Sequence, residues 1–396
     1  MPPFELHDDD LPATLLAHAF DAYPNGGVAS PVYQNSLFTF PDLASYEAAQ
    51  RGEGSAYLYS RASNPTVRAL EHKVAALQGA EAARAFGSGM GAIAAAVLGQ
   101  VHAGAEVIAI EGIYGVTRLL LERYLPRFGV TVRWVSNDPS DAELDAARSE
   151  HTRLLVLESP SSVVMVLQDL ARCAAWARRH DVVTVIDNTW ATPLHQRPHE
   201  LGVDLVCHTA SKYLGGHSDL VAGVVTGTRE RIKALTDHEA AILGATLGPW
   251  DAWLVMRGLR TLDVRLERHE ASALTLARWL EGRPEVARVL HPGLPSHPQH
   301  DLFRRQMTGS CGLFSVVLDL GEAGIRRFVE GLRLFGIGVS WGGFESLALP
   351  LGLHMQRPPF ERFVPPGLVR LHVGLEAVED LQRDLEQALH AAARAL

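Results

Sequence analysis

Between residues 105 and 227 short apolar runs recur: AEVIAI (105–110), VTVRWV (130–135), TRLLVLE (152–158), VVTVID (182–187), VDLVCHT (203–209) and VAGVVTG (221–227). Each is rich in β-branched residues and nearly all apolar, the pattern of a strand covered on both faces. Helical stretches such as TRLLLERYLPRF and DLARCAAWARRH lie between several of them. Strands alternating with helices predict an α/β fold with a mainly parallel sheet sandwiched by helices. Such sheets bind ligands at the carboxyl edge of their strands, so candidate chemistry is sought there.

The flanks have a different texture. Residues 1–58 are rich in Pro, Gly and Asn (YPNGGVASPVYQNSLFTFPD) and predict an extended arm that a monomer buries poorly. From Asn64, NPTVRALEHKVAALQGAE offers an Asn N-cap and a Pro at the first helical position. Residues 59–248 then hold the strand–helix alternation. From 249 to 396 a smaller α+β domain is expected. PWDAWLVMRGLRTLDVRLERHEASALTLARWLEGRP reads as one long helix or two abutting ones, and CGLFSVVLDL, GIGVSWGG, LVRLHVG and a final helix from about 379 follow.

Composition narrows the class. Hydrophobic residues make up 47% and charged residues 20%, as in a globular protein with a large core. A net charge of -9 argues against a nucleic-acid or anionic-membrane surface. Cys173, Cys207 and Cys311 are odd in number and far apart, which fits neither a disulfide framework nor a zinc knuckle, and no metal-ligand spacing occurs. The acidic start MPPFELHDDDLPA has no apolar segment of the signal-peptide kind, and no run is long enough to span a bilayer. A cytoplasmic protein is expected.

The glycine-rich stretch FGSGMGAIAAAVLG opens a helix with Gly87, Ser88, Gly89, Met90 and Gly91. Small residues there let an anion reach free backbone amides at a helix N-terminus; tight packing against a sheet would need them equally. The same letters also fit Gly-x-Gly-x-x-Ala, with Glu111 about 20 residues on, as in an NAD-type dehydrogenase. Against that, GAEAARAF before the glycines reads as a poor strand, and Asp187 and Lys212 would be left without roles. Asp187 ends the run VVTVID. No Gly-x-x-x-x-Gly-Lys-Ser/Thr is present, which removes the reading of Asp187 as the magnesium ligand of a nucleotide site. It then serves either to keep a heteroaromatic nitrogen protonated or only to bond loop amides.

The chain has 36 Lys plus Arg, yet only three are lysines: Lys73, Lys212 and Lys233. Lys212 lies in CHTASKYLGGHSD, after a buried run and among hydroxyl and glycine residues. Near a buried strand end a lysine loses basicity, and lysine, never arginine, can condense with an aldehyde. Thr209 and Ser211 alternate on one face and can offer hydroxyls to a phosphate. Tyr114 follows the strand AEVIAI and can stack on a ring. An amine for an aldehyde, a carboxylate for a pyridinium nitrogen and a helix N-terminus for a phosphate are what pyridoxal phosphate requires.

The blocks YSRASNPTVRALEHKVAALQGAE, GSGMGAI, IYGVT, IDNTWATP, ASKYLGGHSD, MRGLRTLDVRLERHEASA, SWGGFESL and VRLHVGLE resemble the Cys/Met-metabolism family of fold-type I pyridoxal-phosphate enzymes. The resemblance runs from about residue 25 to the C-terminus. It implies a seven-stranded, mainly parallel sheet, and catalytic roles for Lys212 and Tyr114. Lys212 would be the cofactor-linking lysine, Asp187 the pyridinium partner and Tyr114 the stacking tyrosine. Gly89 and Met90 would lend amides, and Thr209 and Ser211 hydroxyls, to the phosphate. Tyr59 and Arg61 would reach the phosphate of a neighbouring subunit, which implies a homotetramer built from two dimers. Arg370 would hold the substrate α-carboxylate as a bidentate partner, with Ser340 and Trp341 beside it.

Within LESPSSVVMVLQDL, Ser162 and Val163 stand where many relatives carry Asn-Pro, so the usual contact to the cofactor's ring hydroxyl is open. That departure, IDNTWA and the Ser-Trp-Gly-Gly of 340–343 resemble proteobacterial-type cystathionine β-lyases. Val339 stands where γ-cleaving cystathionine enzymes often have an acid, and Val116 where methionine γ-lyases often have cysteine. The implied activity is β-elimination of L-cystathionine to homocysteine, pyruvate and ammonia. γ-Cleavage or γ-synthase activity is the alternative within the family.

Overall fold

The computed structural model describes residues 11–18, 27–54 and 56–393. Residues 1–10, 19–26, 55 and 394–396 lie outside the described residues, and with them most of the acidic N-terminal segment and part of the expected arm.

The recurring apolar runs pair into one seven-stranded sheet in the order β1-β7-β6-β5-β4-β2-β3. Its strands are β1 (Ala82–Phe86), β2 (Glu106–Ile110), β3 (Thr131–Val135), β4 (Thr152–Glu158), β5 (Val183–Asp187), β6 (Leu205–His208) and β7 (Gly223–Gly227). All run parallel except β7, which is antiparallel to both β6 and β1. Leu154, Leu155, Val156 and Leu157 of β4 are buried on both faces, which explains an unbroken apolar run in place of alternation. Each such side chain stabilises the fold by about 2 kcal/mol relative to exposure. The helices Gly89–Leu98 and Leu170–Arg179 cover one face. Pro65–Gln78 and Pro249–Leu259 cover the other. As the sequence predicts, Asn64 caps the first of the latter, its Oδ1 accepting from the Thr66 amide at 2.9 Å, and Gly79 ends it in the left-handed region.

One expectation is corrected. AARAF, read above as a poor strand, is β1. Alanine and arginine have little strand preference of their own, and tertiary pairing overrides it. Arg84 is buried, ion-paired to Glu71 at 3.5 Å, and donates to the Ala62 carbonyl at 2.8 Å.

The long helical stretch resolves into two helices, Pro249–Leu259 and Leu262–Glu281. A second, five-stranded sheet follows in the order β10-β11-β12-β9-β8. It comprises β8 (Val286–Leu290), β9 (Leu313–Leu318), β10 (Gly336–Ile337), β11 (Leu347–Leu349) and β12 (Leu368–His372). Helices Gly321–Gly331 and Val378–Ala393 pack on it through Ile325, Phe328, Leu381, Leu385 and Leu389. After β10 the chain does not continue as a strand. Ser340 and Gly342 turn it through φ of 84° and 86°, and a Cβ on Gly342 would lie 2.7 Å from the Tyr213 amide nitrogen, too near for any side chain.

Candidate active site

Three neighbouring parallel strands deliver their ends to one place. Glu158 closes β4, Asp187 closes β5 directly opposite it in register, and β6 leads into Thr209–Lys212. The carboxyl edge of the sheet therefore opens on a cavity of about 800 Å³. Lys212, Asp187, Tyr114, Gly89, Met90, Thr209, Ser211, Ser340, Trp341 and Arg370 all line it. Tyr59 and Arg61 do not. Tyr59 is exposed and bridges to Leu37, and Arg61 donates to the Ala241 carbonyl.

Lys212 is carried on a tight turn in which its amide donates to Thr209 O (3.1 Å) and its carbonyl accepts from Gly216 (2.7 Å). Gly216 lies at φ 73°, and a side chain there would collide with the Arg265 guanidinium, which in turn holds the Tyr213 carbonyl at 2.8 Å. The glycines after the lysine thus belong to its support. The amine donates to Ser340 Oγ and lies 5.7 Å from the centre of the Trp341 ring. Burial, then the neighbouring Arg370 charge, push Lys212 down to about 8, against the opposing pull of Asp187 and Glu345. The other two lysines have different surroundings. Lys73 is buried against the Leu16 carbonyl, and Lys233 pairs with Asp237 at the surface.

Asp187 Oδ1 accepts from both the amide (3.0 Å) and the hydroxyl of Thr189. Its other oxygen has no hydrogen-bond partner among the described residues. Burial raises its pKa, countered by the Thr189 bonds and the Lys212 charge. Thr189 Oγ1 also accepts from the Thr209 amide at 2.8 Å, tying the Asp187 strand end to the lysine turn.

Ser88 caps the helix Gly89–Leu98 through Gly91 N (2.9 Å). That leaves the amides of Gly89 and Met90 without partners among the described residues, at the positive end of the helix dipole. A Cβ on Gly89 would collide with Thr209 Oγ1, so packing and cradle both require this glycine. Ser211 Oγ is engaged by residue 222, accepting from its amide at 3.0 Å. Tyr114 is half-exposed over the cavity, and its amide donates to Glu158 Oε2 at 2.7 Å. Arg370 Nη2 donates to the Ser340 carbonyl at 3.3 Å and has no carboxylate partner among the described residues. Burial lowers it to about 10, which still leaves it a cation at neutral pH, and without a carboxylate partner that charge is open to an incoming anion.

Glu158 escaped the sequence reading. It lies in the cavity beside Asp187, holding the Tyr114 amide and accepting from the Ser162 hydroxyl. Burial, then the Asp187 charge, push it up to about 8. The available signal was two adjacent apolar runs, TRLLVLE and VVTVID, each ending in a carboxylate. Ser162 is spoken for by this acid.

The cavity thus combines an amine of lowered basicity, a carboxylate with one open oxygen, free helix-start amides and an unpaired arginine. These suit a phosphorylated pyridine aldehyde with an amino-acid substrate. The dinucleotide reading fails on topology. β1 and β2, which should be neighbours around the glycine helix, are separated by four strands, and Glu111 is paired with Arg362.

Fold and cavity define a fold-type I pyridoxal-phosphate enzyme. Residues 13–390 match the family model of the Cys/Met metabolism PLP-dependent enzymes, and the chain belongs to that family. It is 43% identical over 390 residues to an L-methionine gamma-lyase of Pseudomonas putida, covering 96% of each chain. It is 40% identical over 369 residues to the cystathionine beta-lyase of Lactococcus lactis subsp. cremoris, covering 92% of this chain and 94% of that one. The crystal structure of metB from Corynebacterium glutamicum superposes with a TM-score of 0.90 at 33% identity, over 97% of this chain and 99% of that one. The protein is a pyridoxal-phosphate-dependent lyase of sulfur amino-acid metabolism.

Proposed function

We propose that the enzyme cleaves L-cystathionine by β-elimination, releasing homocysteine, pyruvate and ammonia. The observation that carries this reading is the rim of the cavity above Lys212, where Val339 is neutral and exposed beside Ser340 and Trp341. No carboxylate at that position competes with the lysine for protons at the substrate side chain.

Pyridoxal phosphate, when bound, supplies an aldehyde that links amines and a ring that draws electrons from the substrate Cα. Lys212 is the residue it links to. Asp187 would hold the proton on the ring nitrogen through its open oxygen, Tyr114 would cover the ring, and Gly89, Met90, Thr209 and Ser211 would receive the phosphate. Arg370 anchors the substrate α-carboxylate with the turn at Ser340 and Trp341. The freed Lys212 amine takes the proton from Cα, and the Cβ–S bond breaks with its electrons leaving on sulfur. The same side chain then returns a proton to the sulfur, so homocysteine departs as a thiol, and water hydrolyses the remaining aminoacrylate to pyruvate and ammonia.

Tyr59 and Arg61, which lie outside their own chain's cavity, complete the phosphate site of a neighbouring subunit in a dimer of dimers. Among the described residues no helix is long and apolar enough to cross a membrane.

The test is to offer L-cystathionine and identify the keto acid, with L-methionine in parallel. Pyruvate with homocysteine, and kcat/KM at least about tenfold lower for methionine, is the expected result. One methylene or substituent in a pocket commonly makes that difference. 2-Oxobutyrate from cystathionine, or methanethiol from methionine at a comparable rate, would overturn the assignment.

A further inference from the structure

Ser340, whose Oγ meets the Lys212 amine, and Arg370, which holds the Ser340 carbonyl, come from different segments that must be kept in place. We propose that His372 is the positioning residue that does this, by fixing the Ser340–Gly343 turn from below. The proposal rests on the reading of Lys212 and Arg370 given above.

Residues 370 and 372 of β12 point to the same face, because side chains alternate along a strand. Arg370 bonds the Ser340 carbonyl, and two residues on, His372 Nε2 accepts from the Gly342 amide at 3.0 Å. One strand therefore grips both ends of the turn. The turn needs gripping, because Ser340 carries a side chain at φ 84°, a conformation that persists only where surroundings enforce it. Above, Gly342 rests directly on the Lys212–Tyr213 peptide. The turn is thus clamped between His372 below and the lysine turn above, with Ser340 Oγ left facing the Lys212 amine.

The ring of His372 is itself fixed. It is buried with His269 and Tyr213, ring centres 5.4 Å and 6.0 Å away. His269 Nδ1 donates to the Val373 carbonyl at 2.8 Å, which sets its tautomer, and Tyr213 Oη accepts from the Gly312 amide at 2.9 Å. Nε2 also lies 3.2 Å from the Gly343 carbonyl, so the ring meets the turn at both Gly342 and Gly343. Burial, then the His269 ring, and more weakly the Arg370 and Lys212 charges, keep the ring neutral, against the opposing pull of the Gly343 carbonyl.

Two variants separate positioning from packing. His372→Leu fills the space but leaves the Gly342 amide without an acceptor, whereas His372→Gln keeps an oxygen at the reach of Nε2. In the holoenzyme, His372→Leu is expected to lose about tenfold in kcat/KM for L-cystathionine, the usual effect of one unpaired buried amide, mainly as a higher KM. The lysine-linked cofactor's visible absorbance should also titrate at lower pH, because an acceptor such as Ser340 Oγ favours the protonated nitrogen. The charged groups facing that nitrogen, Arg370, Asp187 and Glu345, are unchanged in both variants. His372→Gln should restore both values to near wild type. If His372→Leu does not fold, His372→Asn, whose amide stops one bond short, takes its place with the same expectation. Leu and Gln variants that match each other, whether both normal or both equally impaired, would overturn the proposal. A wild-type holoenzyme without lysine-linked absorbance would overturn the Lys212 assignment first, and this proposal with it.

Discussion

Lys212→Ala is expected to lower kcat for L-cystathionine by about 10³-fold or more, with the fold and the cofactor cavity retained. In the proposed mechanism the side chain has two duties, linking the cofactor and moving the Cα proton, and proton transfer alone is worth about 10²–10⁴-fold. Lys212→Arg should be as inactive as the alanine variant, since a guanidinium neither deprotonates nor condenses with an aldehyde. The pH dependence follows from the same environment. Capture of pyridoxal phosphate by the cofactor-free protein needs the neutral amine, whose fraction rises with pH. With Lys212 pushed down to about 8, capture should reach half its limiting rate near that pH. An unperturbed lysine, at ~10.4, would have under about 1% of its amine free there. Stopped-flow absorbance against pH measures this. An activity loss smaller than about tenfold in Lys212→Ala would remove the lysine from the mechanism.

The second large effect is expected at Asp187. Asp187→Asn keeps the side-chain oxygen that accepts from Thr189, so the strand end and its tie to the lysine turn survive. What is lost is the negative charge facing the ring nitrogen. Removing one member of a buried charge pair costs about 3–5 kcal/mol, which corresponds to roughly 10²–10³-fold in kcat or in cofactor affinity. Glu158 does not replace it. That acid is held up near 8, partly by Asp187 itself, and already serves the Tyr114 amide and the Ser162 hydroxyl. Fluorescence titration of cofactor binding and steady-state kcat distinguish the two routes. An asparagine variant within about threefold of wild type in both would show that Asp187 only braces the loop.

Much of this architecture could be read from the chain because its physics is local. The buried strands are unbroken apolar runs, the helix at Pro65 announces itself with Asn64 and Pro65, and the scarcity of lysine singles out Lys212. β1 was illegible because AARAF is a strand only through pairing with β7 and the buried Arg84–Glu71 pair, both made by distant residues. Glu158 stayed hidden for a related reason. A carboxylate at a strand end becomes part of a site only when register sets it opposite Asp187. His372 and Gly342 are 30 residues apart, and nothing in VRLHVG marks its histidine as the support of a turn. Tyr59 and Arg61 come from the family resemblance alone, and they lie outside the cavity of their own chain.

The central claim is that one lysine of three carries the cofactor, and borohydride reduction of the holoenzyme followed by peptide mapping tests it directly. Reduction fixes the linkage, so the mass of the cofactor should be found on the peptide containing Lys212 and absent from those containing Lys73 and Lys233. Label on either of the other lysines, or on none, would contradict the account.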